Sequence, residues 1–358
     1  MTDFAAYQGT RPVAEAHRFD VAALERYLRG HVDGFPRAAV LEVEQFKGGQ
    51  SNPTFLLRAG AKSYVMRRKP PGKLLPSAHA VDREYRVITA LAGTDVPVAR
   101  TYALCTDEAV IGAVFYIMEY VEGRVLWDPK LPGMGPDARR AIFDETNRVI
   151  AALHRVDYAA IGLADYGKPG NYFQRQIDRW SRQYKASETE KIEAMDRLIE
   201  WLPANIPADD ATTIVHGDYR IDNMIFHPDE PRVLAVLDWE LSTLGHPMAD
   251  FSYHMMAWRL SAAEFRGLRG ADLPALGIPS EGEYLARYLE RTGGHALAPQ
   301  DWSFCMAYNM FRAAAIFQGV MARAVAGNAA SAQAVETGRR ARPMAELGWK
   351  QVEQLQRD

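Results

Sequence analysis

The chain has 358 residues, of which 48% are apolar and 24% are charged, and its formal net charge is -3. This length suffices for two domains or one two-lobed domain, because a single hydrophobic core stops growing near ~250 to 300 residues. The composition is that of a globular protein, and it argues against a disordered chain and against a nucleic-acid-binding surface. Cys105 and Cys305 are the only cysteines. Their context suggests neither a disulfide nor structural zinc, so we expect a reducing, cytoplasmic compartment.

The N-terminus and the apolar runs argue against a membrane partner. The first twenty residues lack a basic stretch followed by an apolar one, as a secretory leader would have. No run approaches the ~20 apolar residues that a membrane span requires. We therefore expect a soluble, unprocessed protein.

The first part of the chain has the pattern of a small sheet with one main helix. Val21–His31 has helical spacing with Asp20 as a candidate N-cap. The alternating, β-rich stretches LEVEQFKGG, TFLLRAG and KSYVMRRK follow, and turn-like clusters between them predict an antiparallel meander. Helical spacing returns at 77–91, and strand composition at 96–100 and 114–120.

The rest of the chain has mainly helical spacing. It covers 137–154, 172–201 and the segment from 280 to the end, and two strand-like runs near residues 214 and 233 interrupt it. We therefore predict an α+β protein with two domains, a small sheet-bearing domain at 1–121 and a larger, mainly helical domain at 122–358.

The most polar stretch, IVHGDYRIDNMIF at 214–226, begins and ends in hydrophobic, strand-like residues. It contains Asp218 and Asn223, while Asp238 follows the apolar run VLAVL, and a hairpin would bring the three together. Phosphoryl transfer requires one carboxylate to orient and deprotonate the attacking hydroxyl, and an amide oxygen with a second carboxylate to hold magnesium on the ATP phosphates. An isolated HxD is more often a turn that caps a hairpin, so these residues alone leave both interpretations open.

Further features occur in the order typical of kinases. The turn in FKGGQSNPTFLL offers backbone N–H groups that could cover a nucleotide, a strand arginine follows, and a helix carboxylate can pair with it. The backbone of YIMEYVEG could hydrogen-bond an adenine ring. The candidate nucleotide-binding residues are Gly48, Gly49, Ser51, Asn52, Arg67, Glu84, Glu119 and Val121.

The motifs HGDYRIDN and LDWE, with GGQSNPT and VMRRKPPG before them, resemble the aminoglycoside phosphotransferase and choline kinase family. More narrowly, GQSNPT, VLDWELSTLG and FRAAAIFQGVMARAVAG are similar to the subgroup whose kinase-like domain is fused to acyl-CoA dehydrogenases in animals. The likeness extends over nearly the whole chain. It implies a bilobal protein-kinase-like fold, with an antiparallel-sheet N-lobe at 1–121 and a helical C-lobe at 122–358, and it implies ATP and Mg²⁺ as cofactors.

The resemblance also implies roles for single residues. Asp218 would be the catalytic base, Asn223 and Asp238 the magnesium ligands, and Arg67 with Glu84 the phosphate-orienting ion pair. Most kinases have lysine where Arg67 stands, and the planar guanidinium is not equivalent to a compact ammonium.

Neighbouring residues of these motifs have two interpretations each. Arg220 would stabilise charge during transfer or pair with Asp222 at the surface. His216 would support its loop by hydrogen bonding or take part in the chemistry, and Asp250 would cap a helix or tie the catalytic loop. Glu240 would begin a helix or act as an outer partner of magnesium.

The charge of the C-terminal residues indicates which class of acceptor substrate the protein binds. Residues 251–358 contain 12 Lys and Arg against 10 Asp and Glu, which is a poor match for a polycation. Basic residues at helical spacing suit the phosphates of an acyl-CoA, although a solvated helix face explains them as well. The candidate substrate residues are Arg175, Arg179, Arg312 and Arg323.

The predicted function is therefore an ATP- and Mg-dependent small-molecule kinase that phosphorylates a hydroxyl of a hydroxyacyl-CoA, of the 4-hydroxyacyl type. Known members of the subgroup imply this acceptor. The alternative enzyme is an aminoglycoside or other small-alcohol kinase. A third interpretation, from another class, is a pseudokinase that binds nucleotide or acyl-CoA without catalysis.

Overall fold

The computed structural model describes residues 8–48, 52–70, 79–294, 297–327 and 334–355. The chain divides into two compact units. Unit 1 consists of Met1–Trp127, Ile161–Leu163 and Ile221–Ser242, and unit 2 consists of Asp128–Ala160, Ala164–Arg220 and Thr243–Asp358. The division at residue 121 stays a prediction, since the longest segment of unit 1 ends nearby, at Trp127, but two later segments also belong to that unit.

Unit 1 is built on an antiparallel sheet of six strands in the order β1-β2-β3-β4-β6-β5. The predicted meander is confirmed, because β2 pairs with β3 and β3 with β4 in antiparallel register. The strands are β1 Thr10–Arg11, β2 Leu41–Phe46, β3 Thr54–Ala59, β4 Lys62–Arg68, β5 Thr101–Cys105 and β6 Phe115–Glu119.

The predicted strand at 96–100 is wrong, since the strand in this region is β5, at Thr101–Cys105. Pro97 lacks an N–H and cannot donate to a sheet ladder. Its carbonyl oxygen instead accepts the Val236 N–H at 2.9 Å. The segment before β5 thus binds the backbone at the end of a later strand in unit 1.

Two helices accompany the sheet. In α1, Val21–His31, the Asp20 carboxylate accepts the Ala23 N–H at 2.9 Å, so the predicted N-cap is confirmed. Leu24 and Leu28, one turn apart, are buried and join the core of the sheet. The second helix, α2, is Val81–Leu91; it begins later than the predicted residue 77, because His79 and Ala80 precede it in non-helical conformations.

The segment 221–242 completes unit 1 with a second small sheet. A 3-10 turn at Ile221–Asn223 leads into β8, Met224–Phe226, which pairs antiparallel with β9, Val233–Val236. Another 3-10 turn, Trp239–Leu241, begins three residues after the end of β9. The predicted hairpin is thus confirmed for the part of the motif that lies after residue 220.

Unit 2 is mainly helical, with one two-stranded sheet in which β7, Thr213–Val215, pairs antiparallel with β10, Thr243–Gly245. The helical stretch predicted at 172–201 is two helices rather than one, separated at 187–192. The helices are α3 Pro136–His154, α4 Tyr172–Ala186, α5 Glu193–Ala204, α6 Pro247–Arg259, α7 Ala262–Phe265, α8 Leu273–Leu276, α9 Glu281–Thr292, α10 Pro299–Val325, α11 Ala334–Gly338 and α12 Ala341–Leu355.

The longest helix, α10, forms the centre of unit 2. It packs against α4, α5, α6, α11 and α12. Most of its residues from Trp302 to Gln318 are buried, including the polar Asn309 and Arg312. Among the described residues, no helix combines the length and apolar character that crossing a bilayer requires.

Gly123 tests the packing of segment 221–242 within unit 1. A Cβ at this position would lie 2.3 Å from the Phe226 carbonyl oxygen and 2.5 Å from Ile225 Cγ2. We expect Gly123→Ala to lower the free energy of unfolding by ~1–3 kcal/mol, because overpacking forces the backbone to shift. Gly30→Ala is the matched control, since a Cβ within α1 would contact nothing within 4 Å. It should raise stability by about 0.5–1 kcal/mol, and urea unfolding that shows equal effects would contradict this packing.

Candidate functional site

Arg67 on β4 joins two carboxylates of unit 1. Its Nε lies 3.0 Å from Glu84 Oε2 on α2, and its Nη2 lies 3.0 Å from Asp238 Oδ1. A third carboxylate, Glu240, is 3.9 Å from the same Nη2. A planar fork can engage two carboxylates through different nitrogens, which the single nitrogen of lysine cannot do in the same geometry. This bridge gives a structural reason for arginine at the position where most kinases have lysine.

Glu84 is buried, with 1% of its surface exposed. Besides Arg67, the Asn52 side-chain amide donates to it at 2.8 Å and the Tyr116 hydroxyl at 3.2 Å. Burial raises the pKa of Glu84, while Arg67 and these donors act in the opposite direction. The three donors hold the carboxylate in one orientation towards the guanidinium.

Asn52 is fully buried, whereas the sequence suggested a turn former or phosphate contact. Its amide donates to Glu84, and its Oδ1 lies 3.0 Å from the ring Nδ1 of His79. The side chain therefore supports Glu84 and is not directed at solvent.

The remaining nucleotide candidates are only partly accounted for. Gly48 ends the described part of its turn, and Gly49 and Ser51 lie outside the described residues. The Glu119 N–H donates to the Arg100 carbonyl at 2.8 Å, so it is already used within unit 1. Val121 follows the end of β6 in an irregular segment, and its adenine contact stays a prediction.

Arg67 remains charged in this environment. Burial alone would lower its pKa, but the charges of Glu84 and Asp238 outweigh that effect and raise it. One guanidinium thus faces three carboxyl groups, and the local excess of negative charge suits a divalent cation.

Asn223 and Asp238 supply oxygen donors of the kind that magnesium prefers. The Leu237 N–H donates to the backbone carbonyl of Asn223 at 2.8 Å. This bond places the residue before Asp238 next to Asn223. Asp238 has a φ of 65°, a left-handed conformation that is uncommon outside glycine and is tolerated best by Asp and Asn. Such conformations concentrate at functional sites.

These oxygen donors suit a Mg²⁺ ion that is only partly coordinated by the protein, and not a metal site whose ligands all come from protein side chains. Within the described ranges, no group of three His, Cys, Asp or Glu side chains could hold a metal ion by itself. Magnesium usually takes one or two carboxylates and completes its shell with water and substrate phosphates. Asp238, whose side chain is 35% exposed, meets that requirement.

In unit 2, Asp250 on α6 fixes the backbone of the loop that contains Asp218. Its Oδ2 accepts the His216 N–H at 2.7 Å, and its Oδ1 accepts the Gly217 N–H at 2.8 Å. His154 Nε2 lies 3.2 Å from Oδ2. Burial alone would raise the pKa of Asp250, but its interactions with His154 and His216 outweigh burial and lower it. Of the two interpretations of Asp250, the structure favours the tie to this loop.

Asp218 is held by two side chains of the same unit. The Tyr253 hydroxyl donates to its Oδ1 at 2.6 Å, and Arg220 Nε lies 3.2 Å from the same oxygen. Its carboxylate is 19% exposed, which suits a group that must meet a substrate. Burial raises the pKa of Tyr253, and Asp218 adds to that effect, so the phenol stays protonated and donates.

Tyr253 and His154 are contacts that sequence reasoning missed. Tyr253 follows Asp250 by three residues on α6, and residues at that spacing share a helix face. This spacing was a usable signal once Asp250 had been singled out. His154 had none, because it comes from the end of a helix nearly one hundred residues earlier.

The four basic candidates do not form one shared surface. Arg175 donates to the Gly170 and Lys168 carbonyls at the start of α4. Arg179 is exposed and lies over the neighbouring Trp180 ring. Arg312 is buried and donates to the Gly217 carbonyl at 2.7 Å, whereas Arg323 on the same helix is exposed.

Comparison with known proteins gives a family match and several relatives. Residues 42–284 match the family model described as the phosphotransferase enzyme family. Acyl-CoA dehydrogenase family member 10 of Mus musculus is 47% identical over 343 residues, which are 95% of this chain and 32% of that protein. Family member 11 of Rattus norvegicus is 42% identical over 343 residues, which are 95% of this chain and 44% of that protein. The chain thus spans less than half the length of these curated relatives.

Solved structures are similar over most of the chain. A candidate aminoglycoside phosphotransferase from Ralstonia eutropha JMP134 is 62% identical, covers 94% of this chain and 99% of its own, and superposes with a TM-score of 0.87. Two distant structures show the fold alone. They are APH(4)-Ia with ADP and hygromycin B (14% identity, TM-score 0.59, 92% and 98% covered) and choline kinase from Cryptosporidium parvum (12%, 0.61, 94% and 96%). The predicted α+β, protein-kinase-like fold is confirmed.

Asp250→Asn tests the tie between α6 and the loop of unit 2. An asparagine presents one oxygen and one NH₂ group, so one of the two backbone N–H groups would lose its acceptor. We expect the free energy of unfolding to fall by about 1–3 kcal/mol. Asp137→Asn is the control, because that side chain is 97% exposed and should change stability by less than ~0.5 kcal/mol.

The same pair of proteins gives a pH test. A carboxylate with a depressed folded pKa contributes stability above its unfolded pKa and loses it as pH falls through the folded pKa. The pKa of Asp250 is lowered from 3.8, so the stability difference between wild type and Asp250→Asn should be constant near neutral pH and shrink only in acid below that value. A difference that disappears already near pH 6 would contradict this assignment.

Proposed function

The chain belongs to the phosphotransferase enzyme family, and from that membership we propose that it transfers the γ-phosphoryl group of ATP to a hydroxyl of a small molecule. The observation that carries the proposal is the Arg67 fork between Glu84 and Asp238, because it arranges a cation and acidic oxygens as a magnesium–nucleotide site requires. The more specific proposal for the acceptor is a hydroxyacyl-CoA of the 4-hydroxyacyl type.

Unit 1 supplies the proposed nucleotide and metal groups. Asn223 and Asp238 would hold Mg²⁺, which neutralises charge on the ATP phosphates. Arg67 would orient the phosphates while Glu84 holds its guanidinium in place. The solved complex of APH(4)-Ia with ADP supports a nucleotide ligand in this fold.

Unit 2 supplies the proposed base. Asp218 would accept the proton of the acceptor hydroxyl while the hydroxyl oxygen attacks the γ-phosphorus of ATP. ADP would leave with the electrons of the broken P–O bond. Tyr253 would hold one carboxylate oxygen, and Arg220 would stabilise charge on the transferred group. Asp250 would act on the reaction only by fixing the loop.

Two observations favour an acyl-CoA over a polycation. The C-terminal residues 251–358 have slightly more basic than acidic side chains, and a polyamine site needs the reverse. The relatives that carry this chain's likeness are named acyl-CoA dehydrogenase family members. A hydroxylated acyl-CoA would be a suitable acceptor for a kinase domain that forms part of such a protein.

An aminoglycoside kinase is the second candidate, because the Ralstonia protein with 62% identity bears that description. A coupled assay of ADP release separates the two. With ATP and magnesium, we expect turnover of 4-hydroxyacyl-CoA, and none with kanamycin, choline or free hydroxy acids. Turnover of kanamycin alone would replace the proposal by this alternative.

Asp218→Asn tests catalysis itself. The amide keeps the shape of the side chain but cannot accept the proton, so we expect kcat to fall by at least about 100-fold while calorimetry shows unchanged binding of an ATP analogue. Asp137→Asn should retain wild-type activity. If Asp218→Asn and wild type bind nucleotide and turn over equally slowly, the chain is a nucleotide-binding scaffold.

Arg67→Lys and Arg67→Ala test the fork. Lysine keeps the charge but cannot span Glu84 and Asp238, so we expect a loss of about 10-fold in kcat/KM for ATP, against about 100-fold or more for alanine. Arg58 on the neighbouring strand is half-exposed and paired with Glu44, so Arg58→Ala is the control and should leave kcat/KM unchanged. Equal losses in both Arg67 variants would remove Arg67 from the phosphate site.

A further inference from the structure

Arg312 on α10 is a buried cation. Only 7% of its surface is exposed, and its Nη2 donates to the Gly217 carbonyl at 2.7 Å. In the part of the chain that the structure describes, it forms no ion pair with a carboxylate. Arg67, the buried arginine of the predicted nucleotide site, has by contrast two close carboxylates.

The charge of Arg312 is retained despite its burial. Burial lowers its pKa, but the phenols of Tyr308, Tyr172 and Tyr253 together with Asp218 outweigh this effect and raise it. A buried charge that lacks an ion-pair partner reduces stability considerably. Buried residues that reduce stability in this way commonly serve a function. The N–H groups of a guanidinium bind best to a negatively charged group with several oxygens.

A second unused donor lies beside it. The Trp180 indole N–H is buried and has no acceptor among the described residues. The Arg312 guanidinium carbon is 5.9 Å from the centre of that indole ring and 5.1 Å from the Tyr253 ring. Tyr253 is the residue whose hydroxyl holds Asp218. Arg312 therefore lies beside both this indole donor and the side chain that positions the proposed base.

We propose that Arg312 and Trp180 form an oxygen-binding subsite of unit 2 that recognises a carbonyl or carboxylate oxygen of the acceptor, close to the hydroxyl that Asp218 engages. This inference rests on the proposed function, which it makes more specific. A guanidinium and an indole N–H are both donors only, so the subsite accepts an acyl oxygen and rejects an ammonium group. The acceptor is thereby a hydroxy acid derivative.

The oxygen can belong to a thioester carbonyl or to a free carboxylate. Calorimetry in the presence of magnesium and a non-hydrolysable ATP analogue distinguishes these two sources. The ligands are 4-hydroxypentanoyl-CoA, its thioether analogue in which CH₂ replaces the carbonyl, and free 4-hydroxypentanoate. We expect wild type to bind the thioester about 10- to 100-fold more tightly than the thioether, as one or two charge-assisted hydrogen bonds provide.

Arg312→Met is the decisive variant. If the guanidinium binds the carbonyl, the variant should bind the thioester and the thioether with equal affinity, and its affinity for the ATP analogue should not change. Arg287→Met, on an exposed arginine of α9, is the control and should keep the wild-type preference. If Arg312→Met does not fold, Arg312→Lys should retain part of the preference, because one donor replaces a fork.

The outcomes separate this inference from the proposed function. If wild type ignores both CoA ligands but binds 4-hydroxypentanoate, and Arg312→Met loses that binding, the subsite stands with a carboxylate as its source and the acyl-CoA proposal fails. If thioester and thioether lose affinity equally in the Arg312 variant, Arg312 acts only through the Gly217 loop and the subsite is refuted. A wild type that binds no hydroxylated acyl compound refutes both.

Discussion

Burial of the Arg67 charge is the constraint on which the arrangement of unit 1 depends. A guanidinium removed from water loses more solvation than a single exposed ion pair restores, so it needs close, well-oriented carboxylates. Glu84 provides one, but only because Asn52 and Tyr116 satisfy its remaining acceptor capacity. Asp238 provides the other from a left-handed backbone conformation two residues after the end of β9.

This constraint links three separate segments of sequence. β4 carries the cation, α2 carries the first carboxylate, and Asp238, two residues after the β8–β9 hairpin, carries the second. Arg67 brings one positive charge to three carboxylates, because Glu240 adds a third, so an excess of negative charge remains for a divalent ion. The same electrostatic balance would thus prepare unit 1 for magnesium and phosphate.

Unit 2 also contains a buried charged side chain, but there the charge is negative. There the buried group is a carboxylate, Asp250, and its partners are two backbone N–H groups and a histidine. This fixes the backbone on the N-terminal side of Asp218, while Tyr253 from the same helix holds the side chain. One turn of α6 therefore sets both the path of the loop and the orientation of its carboxylate.

The sequence predicted those parts of the molecule that depend on local pattern. Strand alternation gave β2, β3 and β4, and the order of motifs gave the Arg67–Glu84 pair and the hairpin beside Asn223. It did not decide what packing decides: Arg312 was a candidate substrate residue with a solvated helix face as the alternative, and the structure shows that Arg312 and most of its helix from Trp302 to Gln318 are buried. The strand at β5 was misplaced because Pro97 was not weighted as a residue unable to donate.

Two partners of buried carboxylates, Asn52 beside Glu84 and His154 beside Asp250, were beyond prediction for a related reason. Asn52 and His154 are polar residues whose burial follows from segments that are distant in sequence, and no spacing rule identifies such pairs. Their hydrogen bonds are nevertheless what gives the carboxylates fixed orientations.

The fate of the γ-phosphate tests most directly whether the protein transfers it to a hydroxyl of an acyl-CoA. Protein incubated with magnesium, ATP labelled with ¹⁸O in its γ-phosphoryl group and 4-hydroxypentanoyl-CoA can be analysed by mass spectrometry of the products. We expect labelled phosphate attached to the acyl-CoA, in an amount equal to the ADP formed. Labelled inorganic phosphate with unmodified acyl-CoA would contradict it, since the chain would then release phosphate to water and not transfer it to a hydroxyl.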